Sequence, residues 1–400
     1  MVRTDKQIQD FLNELEFELK DAILPYWMDR MVDNEQGGFY GQINGHDQLQ
    51  TGSPKGSVLN ARILWTFSAA YNHYKDQEYL KMADRAFEYC SQYFMNRMNK
   101  GVYWMLDYKG RPVETKNQIY ALGFMMYGMS EYYIAARNPV ALDFSKMLFR
   151  SIEKHSFDPL ESGYYEAFDE DWQLLDDLRL SDKDANEKKT MNTHLHILEG
   201  YTNLYRIWKN DTLKGQLRRL VRVFIEKIID PDTHHFRLFF DTDWRPKDDE
   251  NSFGHDIEGS WLINEAAEVI NDKNLISQAR QLALDMTDAV IAKGFDQDGA
   301  LFYELKPGNI LDSDKHWWPQ AEAMVGLVNA FEISHKRIYL DQALHVWQFV
   351  KDKIIDKVGG EWYFRVDRAG IPYKEEDKAG IWKCPYHNSR ACLEILKRLG

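Results

Sequence analysis

Several things are scarce in this chain, and each scarcity excludes something. There are three cysteines in 400 residues, Cys90, Cys384 and Cys392, and no Cys-x-x-Cys pair. That removes a disulfide framework and the usual cysteine-rich zinc modules. There is no surplus of base: 50 Lys and Arg face 63 Asp and Glu, for a formal charge of −13. A nucleic-acid-binding surface is normally of the opposite sign, so no nucleic-acid partner is expected. No apolar run has the length that crosses a bilayer. The opening stretch, Met1 to Asp21, reads as a charged amphipathic helix and not as a secretory leader. A reducing, cytoplasmic setting without a membrane partner is the expectation. No Pro-, Ser- or Gly-rich linker interrupts the chain, so residues 1–400 are expected to form one catalytic domain. The pattern gives no oligomeric state, and a monomer is the working expectation.

Aromatic residues are plentiful instead, with 12 Trp, 22 Tyr and 21 Phe. Rings of this number pack a core, and they also line sugar-binding grooves, since they combine apolar faces with polar edges. Glycine–aromatic turns recur at Gly38, Gly101, Gly163, His235, Gly299 and Gly360, a period of about sixty residues. Each reads as a short strand-like or hairpin segment. Between them the apolar period becomes helical. Asn60–Tyr74 pairs with Glu78–Phe94, and Asn117–Ala136 with the run from Ala141. His196–Trp208 pairs with Leu213–Ile229, and Trp261–Ile270 with Leu275–Ile291. Ala321–Ser334 pairs with Tyr339–Ile355, and the chain ends supply the sixth pair through Ser389–Leu399. The first helix of a pair is apolar and rich in small residues, and the second is amphipathic. Two concentric helical layers explain this. An all-α (α/α)6 barrel with short aromatic β-hairpins between helix pairs is therefore expected, with an open helical solenoid as the alternative.

Polar residues at the starts of the inner helices are the candidates for chemistry. The stretch NSFGHDIEGSWLINE places His255 and Glu258 on one helix face. MNTHLHILEG places Asn192, His196 and Glu199 on one face, too polar for an inner helix without a purpose. Arg62 lies among apolar neighbours, where it either snorkels to the surface or fixes an oxygen with its rigid donor fork. Tyr120 stands at the same stage of the second unit and reads equally well as core. Trp317 and Trp318 suggest a wall for a flat ligand, or packing under a loop. CPYHNSR carries Tyr386, His387 and Arg390 close after Trp382. The three histidines have no metal-site spacing. Glu199 and Glu258 stand where they could tune imidazoles as bases. No metal and no cofactor is expected.

The stretches MNTHLHILEGYTNLYRIW, GHDIEGSWLINEAAEV, KHWWPQAEAMVGLVNAF and WKCPYHNSRACLEI are specific. On them the chain resembles the N-acylglucosamine 2-epimerase superfamily of (α/α)6 barrels, in the branch that acts on cellobiose. The resemblance implies a pocket built from Arg62, Tyr120, Asn192, His196, His255, Glu258, Trp318, Trp382 and His387. It implies inversion at C2 of the reducing-end glucose of β-1,4-linked disaccharides, cellobiose to glucosyl-mannose and lactose to epilactose, through a cis-enediolate. His255 and His387 would be the facing acid–base pair. Arg62 and His196 would hold O1 or O2, and Asn192 a hydroxyl. Trp318 and Trp382 would hold the rings. A mannose or glucose aldose–ketose isomerase, or an epimerase of N-acylglucosamine, is the near alternative. An inverting glycosidase using two of Asp184, Glu199, Glu258 and Glu322 is a distant one, and a carbohydrate-binding scaffold is more distant still.

Overall fold

The computed structural model describes residues 6–247, 249–306, 308 and 310–400. The first five residues of the expected N-terminal helix, and Pro307 of the fifth turn segment, lie outside these.

Thirteen helices are found among the described residues. The chain opens with α1 (Lys6–Phe17), a π-helical segment (Glu18–Ile23) and α2 (Leu24–Arg30), which follow one another without a break. Five helix pairs follow: α3 (Ser57–Tyr74) with α4 (Gln77–Tyr89), and α5 (Ile119–Ala136) with α6 (Pro139–His155). Next come α7 (Met191–Ile207) with α8 (Asp211–Val223), and α9 (Phe253–Ile270) with α10 (Lys273–Lys293). The last are α11 (Trp317–Ser334) with α12 (Arg337–Phe349), then α13 (Tyr386–Leu399).

The odd-numbered helices from α3 to α13 pack each against the next, and α13 packs back on α3. That closes an inner ring of six. The other helices cover it, with α1 and its π-helical extension lying on α13. The inner helices are buried on all sides: α3 is buried without interruption from Ser57 to Ala70. Small residues permit the close approach. A Cβ on Gly128 would meet the Ala61 carbonyl oxygen at 2.6 Å, and one on Gly200 would meet that of Gly123 at 2.8 Å. The outer helices bury a single face, as in α8, where Leu213, Leu217, Leu220 and Val221 point inward.

Short connections make each pair antiparallel. Inner helices α3, α5, α9 and α11 end on a left-handed residue: Lys75, Arg137, Asn271 and His335. The next outer helix then starts at once on a capping side chain in four pairs, Asp76, Asn138, Asn210 and Asp272. The outer helices α4, α8 and α12 each finish in a π-helical turn, at Cys90–Phe94, Phe224–Ile228 and Val350–Ile354.

The strands are two or three residues long and link neighbouring units. The strand just before an inner helix pairs antiparallel with the hairpin of the next unit. Lys55–Gly56 pairs with Met105–Leu106, Asn117–Gln118 with Ala167–Phe168, and Lys189–Thr190 with Phe239–Phe240. Asn251–Ser252 pairs with the Glu304–Lys306 strand, and Lys315–His316 with Arg365–Val366. A bridge between Ile43 and Ala379 supplies the sixth link and ties the two ends of the chain together. Each inner helix therefore has its N-terminus clamped to the following unit.

Five of the six inner helices begin three to eight residues earlier than their apolar period suggests. The largest extension is in α9, which starts at Phe253 and not near Trp261. The reason is physical: the first turns of these helices carry polar side chains that face one another inside the ring. No helix among the described residues is long and apolar enough to cross a membrane.

Candidate active site

Every inner helix supplies a side chain from its first two turns to the same end of the ring. Arg62 comes from α3, Tyr120 from α5, His196 from α7, His255 from α9, Trp318 from α11 and His387 from α13. Contacts link most of them around the pocket. Arg62 Nη2 donates to the Tyr120 hydroxyl at 2.9 Å. The Tyr120 ring meets the His196 ring edge-on at 4.8 Å. The Trp318 ring lies 4.6 Å from that of His255 and 5.7 Å from that of His387. Six helix N-termini also converge here, and their dipoles favour negative charge.

A second layer lies one helical turn deeper. It consists of Glu199, Glu258, Glu322 and Arg390, three or four residues after His196, His255, Trp318 and His387 respectively. All four are buried. The Arg390 guanidinium is the hub. Nη1 donates to Glu199, and Nη2 donates to Glu258 at 2.5 Å and to Glu322 at 2.6 Å. The Tyr386 hydroxyl also donates to Glu199. Groups of Glu and His donor atoms lie here within 4.8 Å of one another. One oxygen of each carboxyl group is taken by the guanidinium, which is the cation this cluster is built around.

This layer sets the histidines. His196 Nδ1 donates to Glu199 Oε2 at 3.0 Å, and His387 Nδ1 to Glu322 Oε1 at 2.7 Å. Each ring is thereby fixed in the tautomer whose Nε2 carries a lone pair. His255 is different: its Nδ1 meets the Ser252 hydroxyl at 2.8 Å. Glu258, expected to tune His255, bonds to Arg390 instead, because Arg390 reaches it from across the ring. Burial, ahead of any charge, holds His255 and His387 down to about 3 and His196 well below the usual range. All three are neutral in the resting pocket. Burial alone would raise Glu322, but Arg390 and His387 outweigh it and hold the carboxyl down to about 2.

The remaining expected residues take distinct places. Arg62 is buried among the rings of Phe124, at 4.1 Å, and Tyr386, at 5.1 Å. Its partners are the Tyr120 hydroxyl and Cys384 Sγ, at 3.7 Å, and Nε is unpaired among the described residues. It does not snorkel. Asn192 is half-buried, and its Oδ1 has no partner among them either. Trp382 is half-buried, 6.2 Å from the Tyr120 ring and 6.0 Å from Trp104. Of the two adjacent tryptophans Trp318 lies beside both histidines, while Trp317 has a ring contact with His387 alone, at 6.3 Å. Trp317 is buried against Phe364 at 4.6 Å, because successive helical residues point about 100° apart. Asp184 caps Ser181 within its own loop at 2.8 Å.

Sequence reasoning named Arg390 and Glu322 but did not connect them to the histidines. The signal was present: a charged residue follows each pocket residue of α7, α9, α11 and α13 by one turn. Convergence on a single guanidinium is a property of the closed ring. It also disfavours glycosidic hydrolysis by inversion, which needs two carboxyl groups about 6.5–9.5 Å apart. Here Glu258 has an oxygen within 4.8 Å of one on Glu199 and of one on Glu322.

The chain is similar to known proteins to different degrees. The N-acylglucosamine 2-epimerase family profile matches residues 38–391. A cellobiose 2-epimerase of Bacteroides fragilis is 50% identical over 385 residues, covering 96% of this chain and 98% of that protein. The structure of a cellobiose 2-epimerase from Bacillus thermoamylovorans superposes with a TM-score of 0.94 at 39% identity, over 98% of this chain and all of that one. An α-mannanase structure from Bacteroides thetaiotaomicron gives a TM-score of 0.63 at 13% identity, over 96% of this chain and 95% of that one. That last likeness concerns the helical ring alone. Near-full-length identity of this order, on the ring described above, makes the chain a member of the N-acylglucosamine 2-epimerase family, within its cellobiose 2-epimerase branch.

Proposed function

We propose that this chain inverts C2 of the reducing-end glucose of β-1,4-linked disaccharides such as cellobiose and lactose, by proton transfer through a cis-enediolate. The observation that carries the reading is the pair His255 and His387. Both lie against the Trp318 ring, and both have Nδ1 occupied by a protein group. Each is left with Nε2 for exchange with a sugar between them. The 50% identity to a cellobiose 2-epimerase supports the choice of reaction.

The chemistry follows from charge. Once the sugar ring opens, C2–H is acidified by the C1 aldehyde. A neutral imidazole takes that proton, and an enediolate forms. In a buried site of low dielectric the new imidazolium and the new anion stabilise each other. The second imidazole, protonated at Nε2 from solvent, gives that proton to the other face of C2 and returns to neutral, the first imidazolium releases its proton to solvent, and the epimer results. His387 is the better holder of a positive charge, since its Nδ1–H faces the Glu322 carboxylate while His255 faces only a hydroxyl. Arg62 has no carboxylate partner among the described residues, so its charge is available to the enediolate oxygens. His196, beside Tyr120, adds a second polar group on that side, and Asn192 Oδ1 is free to accept from a sugar hydroxyl.

The disaccharide preference rests on Trp382, which is half-buried and lies beside the buried Trp104 and the pocket residue Tyr120. An indole face suits a second sugar ring. The closed inner ring and the Ile43–Ala379 bridge support treating the chain as one catalytic domain. The three cysteines are free and buried, which suits a reducing, cytoplasmic setting.

The test is incubation of the purified chain with cellobiose, lactose, mannose, fructose and N-acetylglucosamine in heavy water with EDTA present. Cellobiose should yield its mannose-ended epimer with deuterium at C2. Mannose–fructose interconversion with no disaccharide product would favour the isomerase reading.

A further inference from the structure

Three carboxyl groups share one guanidinium in the layer beneath the histidines, and their surroundings are unequal. Glu199 accepts from Tyr386, Arg390 and His196. Glu322 accepts from His387, Arg390 and, at 3.1 Å, from Trp261 Nε1. Glu258 accepts one hydrogen bond among the described residues, from Arg390 to Oε1. Its Oε2 has no protein partner there. A Glu258 oxygen lies within 4.8 Å of an oxygen of each neighbouring carboxyl and of ring nitrogens of both His196 and His387.

Two arguments select the group that carries a proton. The first is solvation. A buried carboxylate needs donors in place of lost water, and Glu199 and Glu322 each have three while Glu258 has one. The second is charge balance. The fixed cations facing this cluster are Arg390 on α13 and Arg62 on α3. The three histidines are neutral, as are the Tyr120 and Tyr386 hydroxyls. Two ionised carboxylates balance two guanidinia, and a third would leave the pocket negative. A negative pocket opposes an enediolate.

We propose that Glu258 stands in the pocket as a neutral carboxylic acid, with Oε1 accepting from Arg390 and the Oε2–H donating a hydrogen bond to an oxygen of the sugar. It is then a binding group that touches substrate and not a base. The proposal rests on the epimerase reading for its ligand and on the structure alone for its protonation. The electrostatics agree in direction: burial first, then the Glu322 and Glu199 carboxylates, drive Glu258 well above the ordinary carboxyl range against the pull of Arg390. A proton so firmly held makes Glu258 a stationary donor, since giving it up would restore the excess negative charge.

The substitution Glu258→Gln tests this, because glutamine is the isostere of a protonated glutamate. Its amide oxygen can accept from Arg390 while its N–H donates to the sugar. E258Q should keep kcat/KM within about tenfold of wild type, whereas E258A and E258L should lose about a hundredfold or more. An infrared difference spectrum of wild type minus E258Q, without substrate at neutral pH, should show the C=O stretch of a protonated carboxyl, shifted in heavy water. Absence of that band, with a carboxylate band in its place, overturns the proposal. So does a folded E258Q that loses a hundredfold or more. If wild type shows the band but does not epimerise disaccharides, the functional reading fails and the protonation stands.

Discussion

His387 Nδ1 lies 2.7 Å from Glu322 Oε1, a contact made between the neighbouring inner helices α11 and α13 and across 65 positions of sequence. It fixes the tautomer and the ring plane of one member of the histidine pair. Glu322 is a positioning residue by this geometry. Replacing it by Gln keeps the shape and removes the charge. We expect kcat to fall by about 10²- to 10⁴-fold with a small change in KM. The acid limb of the kcat/KM profile should move to lower pH, because the carboxylate favours the imidazolium. A loss expressed in KM alone, with an unmoved pH profile, would contradict a positioning role.

His255 and His387 should each be needed for epimerisation. Replacement of either by Asn should reduce turnover by about 10²- to 10⁴-fold, the usual contribution of a general acid or base. Isotope exchange separates the two. A variant lacking only the histidine that delivers the proton to the opposite face can still wash deuterium into C2 of the starting sugar without making epimer. The opposite variant should exchange the epimer. NMR of recovered sugars reads both. Near-wild-type turnover in the double variant would sink the two-imidazole scheme and move attention to His196 and Glu199.

Trp382 should matter more for a disaccharide than for a single sugar. It stands half-buried beside Trp104 and Tyr120, where it can face a second ring. Trp382→Ala should lower kcat/KM for cellobiose by about tenfold more than for glucose or mannose, about 1.4 kcal/mol of differential binding. Equal losses on both would mean that the ring packs the barrel and does not form an outer subsite.

One source of acid sensitivity lies in the core. His194 is buried, with its Nδ1–H donating to the Thr190 carbonyl at 2.6 Å and its Nε2 accepting from the Tyr164 N–H at 2.9 Å. That geometry requires the neutral ring, and burial holds the group down to about 3. The unfolded chain takes up the proton near pH 6.5. His194 therefore contributes stability that is complete above that pH and is lost as the pH falls toward 3. The slope is about 1.4 kcal/mol per pH unit for one such group. Urea midpoints from pH 7.5 to 4.5 should carry this slope, set against the opposite one from buried carboxyls protonated in the fold, such as Glu258 and Glu166. In His194→Gln, which has no proton to gain, the slope should be lower by about one proton. An unchanged slope would show that His194 is not a source of the acid sensitivity.

Much of this protein was decided locally. A period of about sixty residues, apolar first helices and amphipathic second helices lead to a two-layered ring, because a helix that is apolar all round must be covered by one that is not. The identities of Arg62, His196, His255, Trp318 and His387 were legible for a related reason: polar side chains at the start of an otherwise apolar helix stand out from their surroundings. The same polarity blurred the starts of those helices. GHDIEG in α9 carries the mixed composition of a loop, yet it forms the first two helical turns, since its polar groups find partners outside it: His255 in Ser252, Asp256 in His235 and the Phe236 N–H, and Glu258 in Arg390 of α13. Spacing along one helix could show that Glu258 shares a face with His255. It could not show that Arg390 takes Glu258, that Ser252 holds His255, or that Glu322 holds His387. Those pairings join residues on different helices or depend on which competitor is nearer in space. Only closure of the ring brings α13 against α11 and α3, and with it places one guanidinium among three carboxyl groups. The residue types come from the chain, while the protonation and orientation of each come from the distances that the closed ring imposes.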